Sequence, residues 1–472
     1  MDSNTFKTNN SQDPVKIPAN TPQFFFDDSL IAHHEKLTRR WMQAKIFPKP
    51  LVEPDKPWEG CFTCLFGTVV PGSNEGYRMY YSNYVNGFQN VLLATSQDGF
   101  RWEKPELGLI EWKGSKQNNI VLAPDLKMDS PSIIFDPDDP EYPYKMITFQ
   151  RSILVAGRGP GEDRGLYGYR SRDGINWDKY PGILLKAGDR TNIMPTKPGG
   201  KFVIYTRGLG MMESEGRRVI YRSESEDFLN WSEPQVVLKP DLADEPDVEF
   251  YGMSVFERFG WYFGLLEYWH SATDLMEIHL VLSRDGKKWI RPMPRAPFIA
   301  AAYDWNRKWN SCASNGAVFI NEQMVFYFGG RWVSHNWDSA HQYGAVGFAS
   351  LPFDRFCALE ATTGGLMATV PIVWPGGDLI LNADTRESFE SHPSYCNGEI
   401  GVEILDPDGQ PLPGWSGENR AVFQGNTHRR NKYNPGIIRW AGDKGLDELK
   451  GRAIRLCFHL RHARMFTFEA GA

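Results

Sequence analysis

"LLATSQDGFRWEKP", residues 92–105, carries an apolar run into Asp98-Gly99 and places Trp102 three residues after the glycine. The phrase returns as "YGYRSRDGINWDKY" (167–180) and "HLVLSRDGKKWIRP" (279–292), opening at Ser171 and Ser283 where the first opens at Ser96. A degenerate copy, "VIYRSESEDFLNWSEP" (219–234), reads as opening at Ser223, and a fifth, "VGFASLPFDRF", reaches Ser350 without the tryptophan. Upstream of every copy stands a β-branched and aromatic run: "YRMYYSNY", "YKMITFQ", "FVIYTRG", "WYFGLLEYW" and "MVFYFGG". Before each of these lies a further apolar stretch, so one unit reads strand, turn, strand, loop, strand, Asp-Gly turn, strand. Helical periodicity is hard to find in this region. Five units of about four strands each predict a five-bladed β-propeller, in which radial repetition protects the sheet edges. In that frame the phrase is scaffold. Asp-Gly suits a type I′ hairpin, and the tryptophan covers the gap between neighbouring sheets while its N–H finds a partner.

Working outward, "FFFDDSLI" (24–31) reads as an isolated strand that closes the ring by pairing with a late blade. Beyond about residue 365 the aromatic phrase is gone. "GDLILNADT", "GEIGVEILDPDGQPLPGW" and "AIRLCFHLRHARMFTFEA" alternate apolar and polar residues, as strands with one buried face do. The expected organisation is a disordered N-terminal segment (1–22), a propeller (23–362) and a C-terminal β-sandwich (363–472), an all-β chain throughout.

The bulk numbers agree with that class. The chain has 472 residues, 41% hydrophobic and 14% aromatic, with 45 Gly and 32 Pro, a composition rich in turns and aromatic packing. A formal net charge of −6 gives no reason to expect a nucleic acid partner. The first 23 residues are polar and no apolar run approaches membrane-spanning length, so a cytoplasmic protein without membrane partner is expected, or a secreted one if a leader was removed. Six cysteines are too few for a disulfide scaffold, and Cys61 and Cys64 in "CFTC" read as two thiols in a buried strand.

A propeller gathers the first strands of its blades around one funnel, so acids at or beside those strands are candidates for chemistry. Glu59 precedes "CFTCLFG", Asp129 precedes "SPSIIF", Asp189 precedes "RTNIM", Asp247 and Glu249 enter "FYGMSVF", and Asp304 lies in "AAYDWNRKWNS". Each unit donates at least one acid at the corresponding place. Acids at strand entrances also cap turns, which is the structural alternative for any one of them. Arg207, Glu267, Trp269, His270, Arg331 and His335 end or follow the second strands, and sugar sites use such aromatic platforms and forked donors. Trp305 and Trp309 read equally as rim or as packing. His335, Asp338 and His341 suit a loop more readily than a metal site, so no metal is assigned.

The five-unit plan with its C-terminal β-sandwich resembles the furanosidase-type glycoside hydrolases of families 32, 43 and 68. "DDSLI", "PWEG", "SQDGFRWEKPELGL", "FYGMSVF" and "SRDGKKW" are similar to bacterial proteins labelled family 32-like. The repeated phrase also resembles the sialidase Asp box, from which it departs because Asp and Gly are adjacent here. The W-M-N-D-P-N-G, R-D-P and E-C motifs of family 32 are absent as such. The resemblance implies a glycosidase acting on a small or oligomeric glycoside, with a nucleophile or base from the first unit, a transition-state stabiliser from the second and a general acid from the third or fourth. On that plan Glu59, Asp129, Asp189 and Glu249 are the catalytic candidates, and Asp247, Arg207, Glu267, Trp269, His270, Asp304, Arg331 and His335 bind substrate. No cofactor is called for, and the resemblance allows a central Ca²⁺ without naming its ligands. Two other classes stay open: lyase or cyclase chemistry on a specialised metabolite, and carbohydrate binding without catalysis.

Overall fold

The computed structural model describes residues 13–72, 76–83, 89–123, 126–151, 163–208, 216–334, 343–386, 397–428, 431 and 434–471. These are all-β apart from short 3₁₀ turns. The chain divides into two compact units: residues 44–350, and residues 1–43 together with 351–472.

In the first unit the described strands fall into five groups of four. Blade 1 comprises Thr63–Pro71, Tyr77–Asn83, Val91–Ser96 and Ile120–Leu122. Blade 2 comprises Lys127–Phe135, Tyr144–Arg151, Gly165–Ser171 and Asp178–Lys179. Asn192–Ile193, Phe202–Thr206, Ile220–Ser225 and Gln235–Leu238 make blade 3. Val248–Arg258, Trp261–His270, Leu275–Ser283 and Trp289–Ile290 make blade 4. Blade 5 is Trp309–Ile320, Gln323–Arg331 and Gly344–Pro352, completed by Lys45–Ile46, which pairs with Ser350 and Ala349. The first strands touch in blade order and blade 5 returns to blade 1, so the ring is closed.

Hydroxyls staple these inner strands together. Thr68 Oγ1 lies 2.5 Å from Ser314 Oγ of blade 5 and accepts the Ile133 amide of blade 2 at 2.9 Å, and Ser132 Oγ accepts the Ile193 amide of blade 3 at 2.9 Å. Buried strand amides at blade junctions thereby keep partners where no ladder can supply them.

The repeated phrase acts at the outer junctions, by a mechanism different from a type I′ turn. Only the glycine takes a positive φ, 80° at Gly99, 73° at Gly174 and 68° at Gly286. Asp98 Oδ1 accepts the Phe100 and Arg101 amides at 2.7 Å, and Ser96 Oγ accepts the Gly99 amide at 2.9 Å; Ser171 with Asp173 and Ser283 with Asp285 repeat this. The glycine carbonyl then accepts a tyrosine hydroxyl from the preceding blade: Tyr327 to Gly99 at 2.7 Å, Tyr80 to Gly174 at 2.9 Å, Tyr205 to Gly286 at 2.8 Å. A Cβ on Gly174 would stand 2.4 Å from the Tyr80 hydroxyl, so both φ and space demand glycine. Trp102, Trp177 and Trp289 pack edge-on against these tyrosines.

The degenerate copy opens at Ser225 and not at Ser223. Ser225, Asp227 and Trp231 reproduce the pattern, with the Trp231 indole N–H donating to the Phe228 carbonyl at 2.9 Å. Phe228 holds the glycine position at φ 69°, fully buried. Ile147 stands where Tyr80 stands in blade 1 and packs in the same cluster as Phe228, so an apolar contact replaces the hydroxyl–carbonyl bond.

The second unit departs from the expected boundaries. Residues 23–43, expected in the propeller, belong here, and so does the chain from Leu351 rather than 363. The strand expected to close the ring instead pairs with the last strand, Gln23 with Phe468 and Phe24 with Thr467. Residues 13–22, expected to be disordered, include Val15–Lys16, which pairs in parallel with Ile372 and Val373; residues 1–12 lie outside the described part. Ala453–Gly471 is the hub, pairing with Cys357–Thr369, Glu399–Leu405 and Asp378–Asp384 along its 19 residues. Phe25, Trp374, Trp415 and Trp440 fill one core.

Candidate active site

Four of the five first strands break register at the level where they converge. The irregularities fall between Cys64 and Thr68, Asp129 and Ser132, Phe250 and Gly252, and Cys312 and Ala317. Each break contains or borders a residue unsuited to a regular strand, Gly67, Pro131, Gly252 or Gly316. Bulges re-aim side chains: Tyr251 is left out of its ladder, and Asp129, the partner of Phe149, is the last paired residue before the break in blade 2.

At the base of this region Arg190 and Glu267 form an ion pair with both side chains almost fully buried. Arg190 Nε lies 2.9 and 2.8 Å from the two Glu267 oxygens, and its Nη2 donates to the Cys312 carbonyl at 2.6 Å. Its guanidinium sits 4.7 Å above the Phe66 ring, and its amide donates to Ser130 Oγ at 3.2 Å. The pair thus touches strands of all five blades and fills the axis. Burial would lower the Arg190 guanidinium, and Glu267 outweighs it and raises it. Gly252 makes room, since a Cβ there would stand 2.4 Å from Arg190 Cγ and 2.6 Å from Glu267 Oε2.

Beside this plug lies a polar cluster around Tyr251, which is partly exposed. The Arg207 guanidinium is 4.5 Å from the Tyr251 ring centre and pairs with Asp189. Arg218 lies 5.8 Å from the same ring and 4.6 Å from Trp269, and its Nη1 donates to Glu249 Oε2 at 2.6 Å. The Trp309 and Trp269 rings stand edge-on to Tyr251 at 4.8 and 5.7 Å. Arg331 is 5.5 Å from Trp309 and 4.1 Å from Phe62. The Asp129 carboxylate accepts the Ser130 hydroxyl at 2.9 Å, its backbone carbonyl accepts the Thr148 hydroxyl at 2.7 Å, and among the described residues no arginine lies within ion-pair distance of it. Burial raises the Tyr251 phenol, with Asp129 adding to the rise and Arg207, Arg331 and Arg218 opposing it. Burial also pushes the Cys64 thiol up to about 11.

The structure therefore brings Asp129, Asp189, Glu249, Arg207, Trp269 and Arg331 together, with Glu267 beneath them. Asp247 and His270 flank the group: Asp247 Oδ1 lies 3.4 Å from His270 Nδ1 and Oδ2 accepts the Ala272 amide at 3.3 Å, a turn-binding role. Two candidates fall elsewhere. Glu59 is fully buried and accepts the Asp55 and Lys56 amides at 3.0 and 2.9 Å, the Tyr81 hydroxyl at 2.6 Å and Lys104 Nζ at 2.7 Å. Its lone pairs are used in anchoring a turn to blade 1, so no nucleophile comes from it. Asp304 begins a 3₁₀ turn whose other two residues, Trp305 and Asn306, are buried, and its own side chain is 97% exposed, outside the cluster. His335, Asp338 and His341 lie outside the described residues. Trp305 is packing, its indole N–H donating to the Pro48 carbonyl at 3.1 Å.

Sequence reasoning missed Arg190, Arg218 and Tyr251. The signal for Tyr251 was the glycine after it, which marks a bulge inside an otherwise apolar strand. Arg218 precedes its strand and carried no signal.

No protein-family model matches the chain, and no curated protein matches it. Among solved structures, an N-acetylgalactosamine deacetylase from F. plautii in complex with blood group B trisaccharide is similar at 14% identity and TM-score 0.45, over 68% of this chain and 96% of that one. A glycosyl hydrolase from Bacteroides ovatus is similar at 15% identity and TM-score 0.46, over 67% and 95%. A structure from the GH130 family of mannoside phosphorylases and glycoside hydrolases is similar at 15% identity and TM-score 0.47, over 66% and 95%. At these values no residue role passes from those proteins to this chain.

Proposed function

We propose that the protein is a glycoside hydrolase that cleaves a terminal glycosidic bond beside Tyr251. The observation that carries this reading is the convergence of Asp129, Asp189 and Glu249, from three blades, on one cluster of aromatic rings and arginines. Glycosidic cleavage takes one carboxyl group to protonate the leaving oxygen and a second, ionised, to act as nucleophile or base. Glu249 takes the second role, held in place by Arg218 Nη1 at 2.6 Å. Asp129, with no arginine at ion-pair distance among the described residues, takes the first role. Asp189 is held by Arg207 and serves binding, while the partly exposed Tyr251 ring, braced edge-on by the buried Trp269 and Trp309, is the aromatic surface a sugar can reach. The buried Arg190–Glu267 pair fills the axis, which favours a chain end over a through-running polymer.

The test is a panel of aryl glycosides and short oligosaccharides with wild type, Asp129→Asn and Glu249→Gln. Both variants should lose about 10²–10⁴-fold in turnover. A good aryl leaving group should restore Asp129→Asn and not Glu249→Gln. A second reading, sugar binding without hydrolysis, is favoured by the neutralisation of Asp189 and Glu249 by arginines. Binding of a glycan with no turnover across the panel would establish it over hydrolysis.

A further inference from the structure

In the second unit, Glu399–Leu405 and Ala453–Gly471 run antiparallel, with Glu403 opposite Cys457 and Gly401 opposite His459. Cross-strand partners share a face and so do residues two apart, so Glu403, Cys457 and His459 stand together on one side of the sheet. His459 Nε2 lies 2.7 Å from Glu403 Oε2 and 3.7 Å from Cys457 Sγ, and one ligand atom from each residue fits within 4.8 Å of the others. His459 is flanked by Gly401 and Leu366 and Cys457 by Glu403 and Ala368, so Gly401 and Ala368 leave room on either side of the group.

We propose that Glu403, Cys457 and His459 form a binding site for a divalent thiophilic metal ion of the Zn²⁺ class. One carboxylate, one imidazole and one thiolate make a mixed donor set that suits zinc, with bonds of about 2.0–2.3 Å. Two ligands on a tetrahedral ion stand roughly 3.3–3.7 Å apart by that geometry. The imidazole–sulfur separation fits unchanged. The carboxylate–imidazole separation opens by about 0.6 Å, a side-chain rotation of Glu403. The Gly417 amide holds the other Glu403 oxygen at 2.6 Å, the kind of outer contact that orients a metal ligand. A fourth position is open to solvent: His459 lines a cavity of about 320 Å³ with Glu399, Arg420 and Arg461 at its walls. Carboxylate and thiolate balance the ion's two charges, which leaves the arginines to attract an anionic co-ligand. On binding, the Cys457 S–H bond gives way to a metal–sulfur bond, and the proton passes to solvent.

Co²⁺ is the probe. The full chain is titrated in a Cys61→Ser background, because Cys61 is an exposed thiol. The expected result is a thiolate-to-cobalt charge-transfer band that saturates at one equivalent and is displaced by one equivalent of Zn²⁺. Cys457→Ser should abolish the band. His459→Gln keeps the thiol, should weaken Co²⁺ binding at least tenfold, and serves if the serine variant fails to fold. No band, a band that survives Cys457→Ser, or an affinity unchanged by His459→Gln overturns the proposal. None of these outcomes bears on the propeller cluster, whose turnover is read separately.

Discussion

Two kinds of ion pair lie within the propeller unit and use the same chemistry. Arg190–Glu267 is dry, bidentate and tied to backbone and side-chain groups of neighbouring strands, while Arg218–Glu249 and Arg207–Asp189 each keep part of their surface in water. Removing a partner from the first leaves a charge with nowhere to go. Removing one from the second leaves a charge that water can reach. The difference teaches that an acid at a strand entrance is scaffold or site according to what encloses it. Glu59 makes the point again: it has the right position in sequence and four donors around it.

The sharpest way to break this distinction is Glu267→Gln, which strands the Arg190 charge and should cost about 3–5 kcal/mol by urea unfolding. A variant as stable as wild type would make the dry pair equivalent to the exposed ones. Next, Asp129→Asn should remove turnover by the factor given above while unfolding stability moves by less than about 0.5 kcal/mol. A matching loss of stability would class Asp129 with Glu267.

A smaller effect tests burial by pH. His279 is 8% exposed and stacks at 4.1 Å on Tyr268. Burial, aided by Arg291 and His270 and opposed by Asp244, pulls its imidazole from 6.5 down to about 3. The unfolded chain binds this proton near pH 6.5 and the folded chain only near pH 3. Stability is therefore intact above 6.5 and falls by up to about 1.4 kcal/mol per pH unit as pH drops through that window. His279→Phe keeps the ring stack and should flatten this slope in acid titrations. The smallest effect belongs to the junctions: Tyr80→Phe should cost about 1 kcal/mol. Phe228→Gly, where no tyrosine hydroxyl waits, should lose more in buried apolar contact than its positive-φ turn gains from glycine, and so cost more than Tyr80→Phe, which separates the two kinds of junction in one set of melts.

Blades were legible because each repeats the serine, aspartate and tryptophan that cap its turn, and local capping writes itself into adjacent residues. The register of the degenerate copy was missed because Ser223 and Ser225 both precede an acid, and only the Asp227 cap distinguishes them. Three of the four carboxylates singled out for chemistry come together at one place, since strand entrances on one axis must converge. Glu59 was misplaced because its enclosure depends on Tyr81 and Lys104, which are distant in sequence. The metal-ligand group was invisible for the same reason: Glu403 and His459 meet only through strand register. The N-terminal strands were assigned to the wrong unit because pairing partners more than 300 residues away leave no local trace.

The division of the chain has a consequence for its synthesis. The propeller is continuous, and its two ends lie side by side where Lys45 pairs with Ser350. The other unit is split around it and hangs on Ala453–Gly471, the strand made after all its neighbours. On the ribosome, blades can therefore close while residues 13–43 still wait for their partner to be translated, and a nascent chain halted near residue 400 would carry a finished ring beside an unfinished companion.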